Sequence, residues 1–191
     1  MATGDDPSLN EYFRFVRSKI KSPTCLREFR TEMVDDRTSE YGEGEIVYSL
    51  SCSCGADKLS LLGHDIENNF GNKTIRVFVS PLHVRCESCN QTRLLFDNDL
   101  HGYDAELGHG STTLRGEGDS TLYRCRTCQS AQFRMILTFY LSSETFDMAF
   151  EDELGNSRLN ERPQDLFHVI SVQGTCCDCG QNETMCGLEC S

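Results

Sequence analysis

The chain has 191 residues, 38% of them hydrophobic, enough for one mid-sized domain or two small ones that share a core. A formal net charge of -12 argues against a nucleic-acid binder held by phosphate contacts, which needs clustered Lys and Arg. No stretch approaches the roughly 18 consecutive apolar residues of a membrane span. The acidic, polar start MATGDDPSLN lacks the regions of a signal peptide, so the expected location is cytoplasmic.

The first 30 residues carry a net charge of +2 and differ in this from the rest. Leu9, Phe13, Val16 and Ile20 recur at helical spacing, Asp6-Pro7-Ser8 supplies capping chemistry, and Pro23 supplies a stop. An amphipathic helix is expected over residues 8–21, packed on its own domain or docking a partner. Residues 31–45 are acidic and turn-rich and read as a linker.

From there the pattern is β. IVYSLS (46–51), KLSLLG (58–63), TIRVFVS (74–80) and TRLLF (92–96) are short, rich in branched or aromatic residues, and bounded by Gly, Asn or Pro. LYRC (122–125), QFRMILTFYL (132–141) and LFHVISV (166–172) continue it. Between them lies a polar segment, 97–120, with five glycines, and a second acidic loop spans 151–165. Polar segments of that length are usually functional or mobile.

Twelve cysteines dominate the chemistry. In a reducing compartment such density points to metal ligands rather than a disulfide framework. Eight form close pairs: Cys52-x-Cys54, Cys86-x-x-Cys89, Cys125-x-x-Cys128 and Cys176-x-x-Cys179. A pair at a tight turn directs two sulfurs to one point, and a second pair from a distant turn completes a tetrahedral site. Gly55 and Gly180 follow their pairs directly, where glycine frees the backbone to turn. Two structural Zn²⁺ ions per chain are therefore expected on these eight residues. Grouping 52/54 with 86/89 and 125/128 with 176/179 closes each site around a strand meander. The rival joins 86/89 to 125/128 and leaves 52/54 for 176/179. Cys177 is an alternative to Cys176, and Cys186 and Cys190 read as surplus tail thiols or a small third site; Cys25 has no assigned role.

Ser51-Cys52-Ser53-Cys54-Gly55-Ala56, followed by KLSLL and later a CxxC, resembles the structural-zinc half of the glutathione-dependent formaldehyde-activating enzyme-like superfamily. Cys125-x-x-Cys128 and Cys176-x-x-Cys179-Gly180 are similar to zinc-ribbon knuckles. The superfamily resemblance implies a twisted β fold with a second, catalytic zinc on a further cysteine cluster between the structural pairs. Residues 55–85 contain no cysteine, so that catalytic site is not carried over.

The expected fold class is mainly β, with zinc-ribbon-like antiparallel sheets, a possible tandem duplication and an N-terminal α-helix. The units are the helix within 1–30, the linker 31–45, a zinc-binding β unit over 46–120 with its long loop, and a second over 121–191. Both halves run in the order pair, strands, pair, although the inner intervals of 32 and 48 residues differ. The leading function is a zinc-stabilised module that binds protein. One alternative is an enzyme using His101, Asp104 and His109 in the long loop, with Tyr103 nearby. The other is a zinc-ribbon nucleic-acid binder, disfavoured by charge but kept open by Arg124, Arg126 and Arg134. His83 and His168 read as packing residues and His64 as a turn residue.

Overall fold

The computed structural model describes residues 23–34, 44–70, 73–101, 115–141 and 167–189. Nine strands account for most of them. These are β1 (Phe29–Met33), β2 (Gly44–Cys52), β3 (Leu59–Phe70), β4 (Lys73–Cys86), β5 (Thr92–Phe96), β6 (Thr121–Leu122), β7 (Phe133–Leu141), β8 (Phe167–Cys176) and β9 (Asn182–Glu189). The period-two pattern behind them is clearest in β7. Phe133, Met135, Leu137 and Phe139 are buried on one face, while Arg134 is exposed on the other.

The fold differs from the expected zinc-ribbon-like sheets with an N-terminal helix. The described strands form one curled antiparallel sheet. Helical structure among the described residues is limited to a 3-10 turn, Thr24–Leu26, and one short helix, α1 (Asn98–His101). The helix expected over 8–21 lies outside the described residues. No described helix is long and apolar enough to cross a membrane.

The sheet has two arms. One runs β1-β2-β7-β8-β9 and the other β6-β3-β4-β5, and they meet where Leu59 of β3 pairs with Phe133 of β7. At that corner Phe133, Tyr123 and Phe78 stack edge to face, with ring centroids 5.7 and 5.2 Å apart. The sheet curls so that β9 packs across β4, and the enclosed core includes Leu59, Leu61, Leu82, Phe96 and Met135.

The arms are built alike. In β4–β5, Leu82 pairs with Phe96 and His83 with Leu94, which leaves Leu95 as the extra residue of a bulge. In β8–β9, Val172 pairs with Cys186 and Gln173 with Thr184, leaving Met185 in the same role. Leu95 and Met185 are both fully buried, so each bulge turns one more apolar side chain into the core. The leading strands are exchanged. β2 precedes β3 in sequence yet pairs with β7, while β6 precedes β7 and pairs with β3.

A wider irregularity lies between Leu62/His83 and His64/Val79, where β4 carries a cis Ser80-Pro81 bond opposite Gly63. There the Gly116 amide donates to the Ser80 carbonyl at 2.9 Å, and Asn98 N–H donates to the Ser80 hydroxyl at 3.0 Å. A Cβ on Gly116 would lie 1.9 Å from Cβ of His64, which sits in β3 rather than in a turn and is buried. Gly116→Ala is expected to cost about 1–3 kcal/mol through overpacking. Gly187→Ala, with open space around it, is the near-neutral control. Urea melts of the two variants check this; equal midpoints would show that the His64 contact yields without strain.

Candidate metal centres

Each cysteine pair sits on a backbone turn that repeats with little change. The amide of the first cysteine donates across the turn, from Cys52 to Ala56, Cys86 to Gln91, Cys125 to Ser130 and Cys176 to Gln181, at 2.7–2.9 Å. The residue after the second cysteine donates back to the carbonyl of the first at 2.8–3.0 Å. That residue has positive φ in all four turns: Gly55 (94), Asn90 (56), Gln129 (64) and Gly180 (74). Glycine and asparagine tolerate this region well. Gln129 carries some strain there, and its side-chain amide donates to the Cys125 carbonyl.

The turns bring the eight cysteines into two groups. Cys52, Cys54, Cys86 and Cys89 form one, and Cys125, Cys128, Cys176 and Cys179 the other, with all sulfurs of a group within 4.8 Å of one another. The spatial grouping is thus 52/54 with 86/89 and 125/128 with 176/179, and the rival grouping does not occur. The sulfurs of Cys52 and Cys89 are 3.6 Å apart and those of Cys54 and Cys86 3.7 Å. Cys125–Cys179 and Cys128–Cys176 are both 3.5 Å. Four sulfurs about 2.3 Å from a central zinc would stand about 3.8 Å apart. The groups therefore already have nearly the size of a tetrathiolate site. In each, the first cysteine of a pair is buried and the second exposed.

Exchange of β2 and β6 makes each site draw its cysteines from both arms. Cys52 ends β2 and Cys54 follows it in one arm, while Cys86 ends β4 and Cys89 follows it in the other. Cys125 and Cys128 follow β6, while Cys176 ends β8 and Cys179 follows it, so a metal in the second site would tie the arms together in the opposite sense.

Local donors favour thiolate at particular sulfurs. Burial raises the Cys52 pKa, but the Cys54 amide and thiol and the thiols of Cys89 and Cys86 outweigh it, leaving Cys52 at about 6. Cys176 is likewise raised by burial and brought down to about 7 by the amides of Cys179 and Asp178 and by neighbouring thiols. Cys125 is shifted up, with burial the largest cause.

The second site has a carboxylate beside it. Glu183 on β9 accepts from the Arg126 amide at 2.8 Å and from the Tyr123 hydroxyl at 2.8 Å, and the Cys125 sulfur lies 3.5 Å away. This locks the Cys125 turn onto β9. The matching position in β5 is Arg93, which donates instead to the Glu28 carbonyl and the Gln91 side chain. Neither partner was legible in the sequence, because Glu183 and Arg126 are 57 residues apart and no spacing rule links them.

The other expected residues fall differently. Cys177 is partly exposed and outside its group, and Cys186 is fully buried in β9, a core residue and not a tail thiol. Cys190, Tyr103, Asp104 and His109 lie outside the described residues, as does the side chain of His168. His101, in α1, accepts the Asp97 amide on Nδ1 at 3.0 Å and packs on Phe96. That bond fixes the tautomer with hydrogen on Nε2, and burial lowers the imidazole pKa. His101 so bonded has no free lone pair for a metal. The arginines that kept nucleic-acid binding open are engaged internally. Arg124 donates to the Gln129 carbonyl, Arg126 pairs with Glu183, and Arg134 holds Asp57 at 2.8 Å.

Cys25 is buried and belongs to neither group, and burial pushes its thiol up to about 12. Its folded pKa lies above the unfolded value of about 9. Its contribution is thus complete below about pH 9 and is lost as pH rises toward 12. Cys25→Val is expected to flatten that alkaline loss, measured as denaturation midpoint against pH; parallel profiles for variant and parent would refute it.

No family profile, no curated protein and no solved structure matches this chain. The motif-level likenesses to zinc ribbons and to the formaldehyde-activating superfamily thus have no whole-chain counterpart.

Proposed function

We propose that the chain is a cytoplasmic, zinc-stabilised binding module for protein, with two structural Zn²⁺ ions held by sulfur alone. The carrying observation is that each group supplies four sulfurs, at nearly the edge length of a zinc tetrathiolate. Four protein ligands leave no open position for water or substrate, which is the mark of a structural site. Softness favours the same metal, since thiolates select zinc over hard cations and a reducing compartment keeps them available.

Binding protein, rather than catalysis, is supported by His101 being committed to the Asp97 amide. Binding protein, rather than nucleic acid, is supported by the charge of -12 and by the engagement of Arg124, Arg126 and Arg134.

Native mass spectrometry of untagged protein purified without added metal tests the zinc assignment. The expected result is two zinc ions per chain, lost on denaturation, with every thiol reduced. One zinc, a different metal, or a mass deficit from disulfides would overturn it.

A further inference from the structure

Among the described residues β1 pairs with β2 alone, and none of them pairs with the backbone groups of its other edge. The pairing with β2 fixes which groups these are. The Val34 amide donates to the Val47 carbonyl at 2.8 Å, so by alternation the amides of Glu32 and Arg30 also face β2. The hydroxyls of Ser49 and Ser51 donate to the carbonyls of Glu32 and Arg30, from the same side. The amides and carbonyls of Phe29, Thr31 and Met33 therefore point outward.

Side chains on this strand are arranged to match their own reverse. Arg30 and Glu32 are exposed on one face, and neither makes an ion pair among the described residues. On the other face Phe29 packs against the core, Thr31 is half-buried and Met33 is 39% exposed. Now place a second copy antiparallel to β1 with the symmetry axis at Thr31. The outward groups of Thr31 meet those of Thr31 in the copy, and Phe29 meets Met33. Arg30 and Glu32 become directly opposed in non-hydrogen-bonded pairs, where cross-strand side chains come closest.

We infer that β1 is a homodimerisation edge, at which two copies of the chain join their sheets antiparallel about Thr31 through reciprocal Arg30–Glu32 pairs. The interface is isologous, as a closed dimer requires. A five-residue strand makes it weak and concentration-dependent.

Sedimentation velocity of the zinc-loaded full chain over a concentration series tests this. The parent is expected to show a monomer–dimer equilibrium. Arg30→Glu sets Glu against Glu twice and is expected to weaken dimerisation at least about tenfold, as is Glu32→Arg. A mixture of those two variants restores opposite charges at every pair and is expected to form a mixed dimer. The double variant R30E/E32R should self-associate like the parent. This recovery separates a charge-matched edge from simple damage to the strand. Thr31→Pro removes an outward amide that β2 does not use, and is expected to abolish the dimer while keeping the melting transition. A parent that stays monomeric at every concentration, as it would if the chain's own segments covered the edge, overturns the inference. So does a dimer that both single charge variants leave intact.

Discussion

Replacing Cys176 with serine is expected to lose one metal and to disrupt the sheet as a whole, not its second half alone. Structural zinc contributes about 10–16 kcal/mol in small zinc peptides at neutral pH. An ordinary domain has a net stability of only about 5–15 kcal/mol. A metal whose four ligands come from both arms holds the arms to each other, so its loss leaves the first site, the Leu59–Phe133 corner and the packing of β9 across β4 to do so. Far-UV circular dichroism and hydrogen exchange of the amides pairing β3 with β4, in the first half, would read the effect. A one-zinc protein with near-parental protection there would show that the arms are independent. Verified chelation of both ions should go further and remove the cooperative transition altogether.

Acid should act in the same direction. Cys52 and Cys176 have folded pKa values of about 6 and about 7, below their ordinary value of 9.0. A depressed thiol contributes stability above its unfolded pKa and loses it as pH falls through the folded one. Metal bound to the thiolates moves that loss to still lower pH, because protons and zinc compete for the same sulfurs.

Dividing the chain between residues 120 and 121 is expected to give two pieces, neither of which forms its native sheet alone. Each piece keeps a complete set of four cysteines, so each still binds one metal. What each lacks is strand partners: in the first piece β2 has lost β7 and β3 has lost β6, and in the second β7 and β6 have lost those same pairings. The separate pieces should show metal binding without a cooperative melt, and mixing them should restore both the β spectrum and a one-to-one complex. A cooperative melt from either piece alone would mean that the exchanged strands are dispensable. The contrast is informative because it separates ligand supply, which is local in sequence, from sheet formation, which is not.

Short runs rich in branched or aromatic residues placed seven strand segments, and TRLLF coincides with β5. Paired cysteines next to Gly55 and Gly180 announced the turns, because a ligand pair and a left-handed residue are both properties of a few adjacent residues. Even the grouping of the pairs could be favoured from the idea that each site closes around a strand meander.

Other features depend on contacts between segments far apart in the chain. Phe29–Met33 and Asn182–Glu189 have weak strand patterns of their own and become β1 and β9 because β2 and β8 offer them edges. Cys186 has the composition of a spare thiol and becomes a core residue because a bulge turns β9 inward at Met185. The joining of two apparent ribbons into one sheet depends on β2 and β6 crossing to strands far away in the chain. Periodicity records which face of a strand is buried, but not which strand lies beside it. That choice is made by packing at the Leu59–Phe133 corner and by where the cysteine turns must meet.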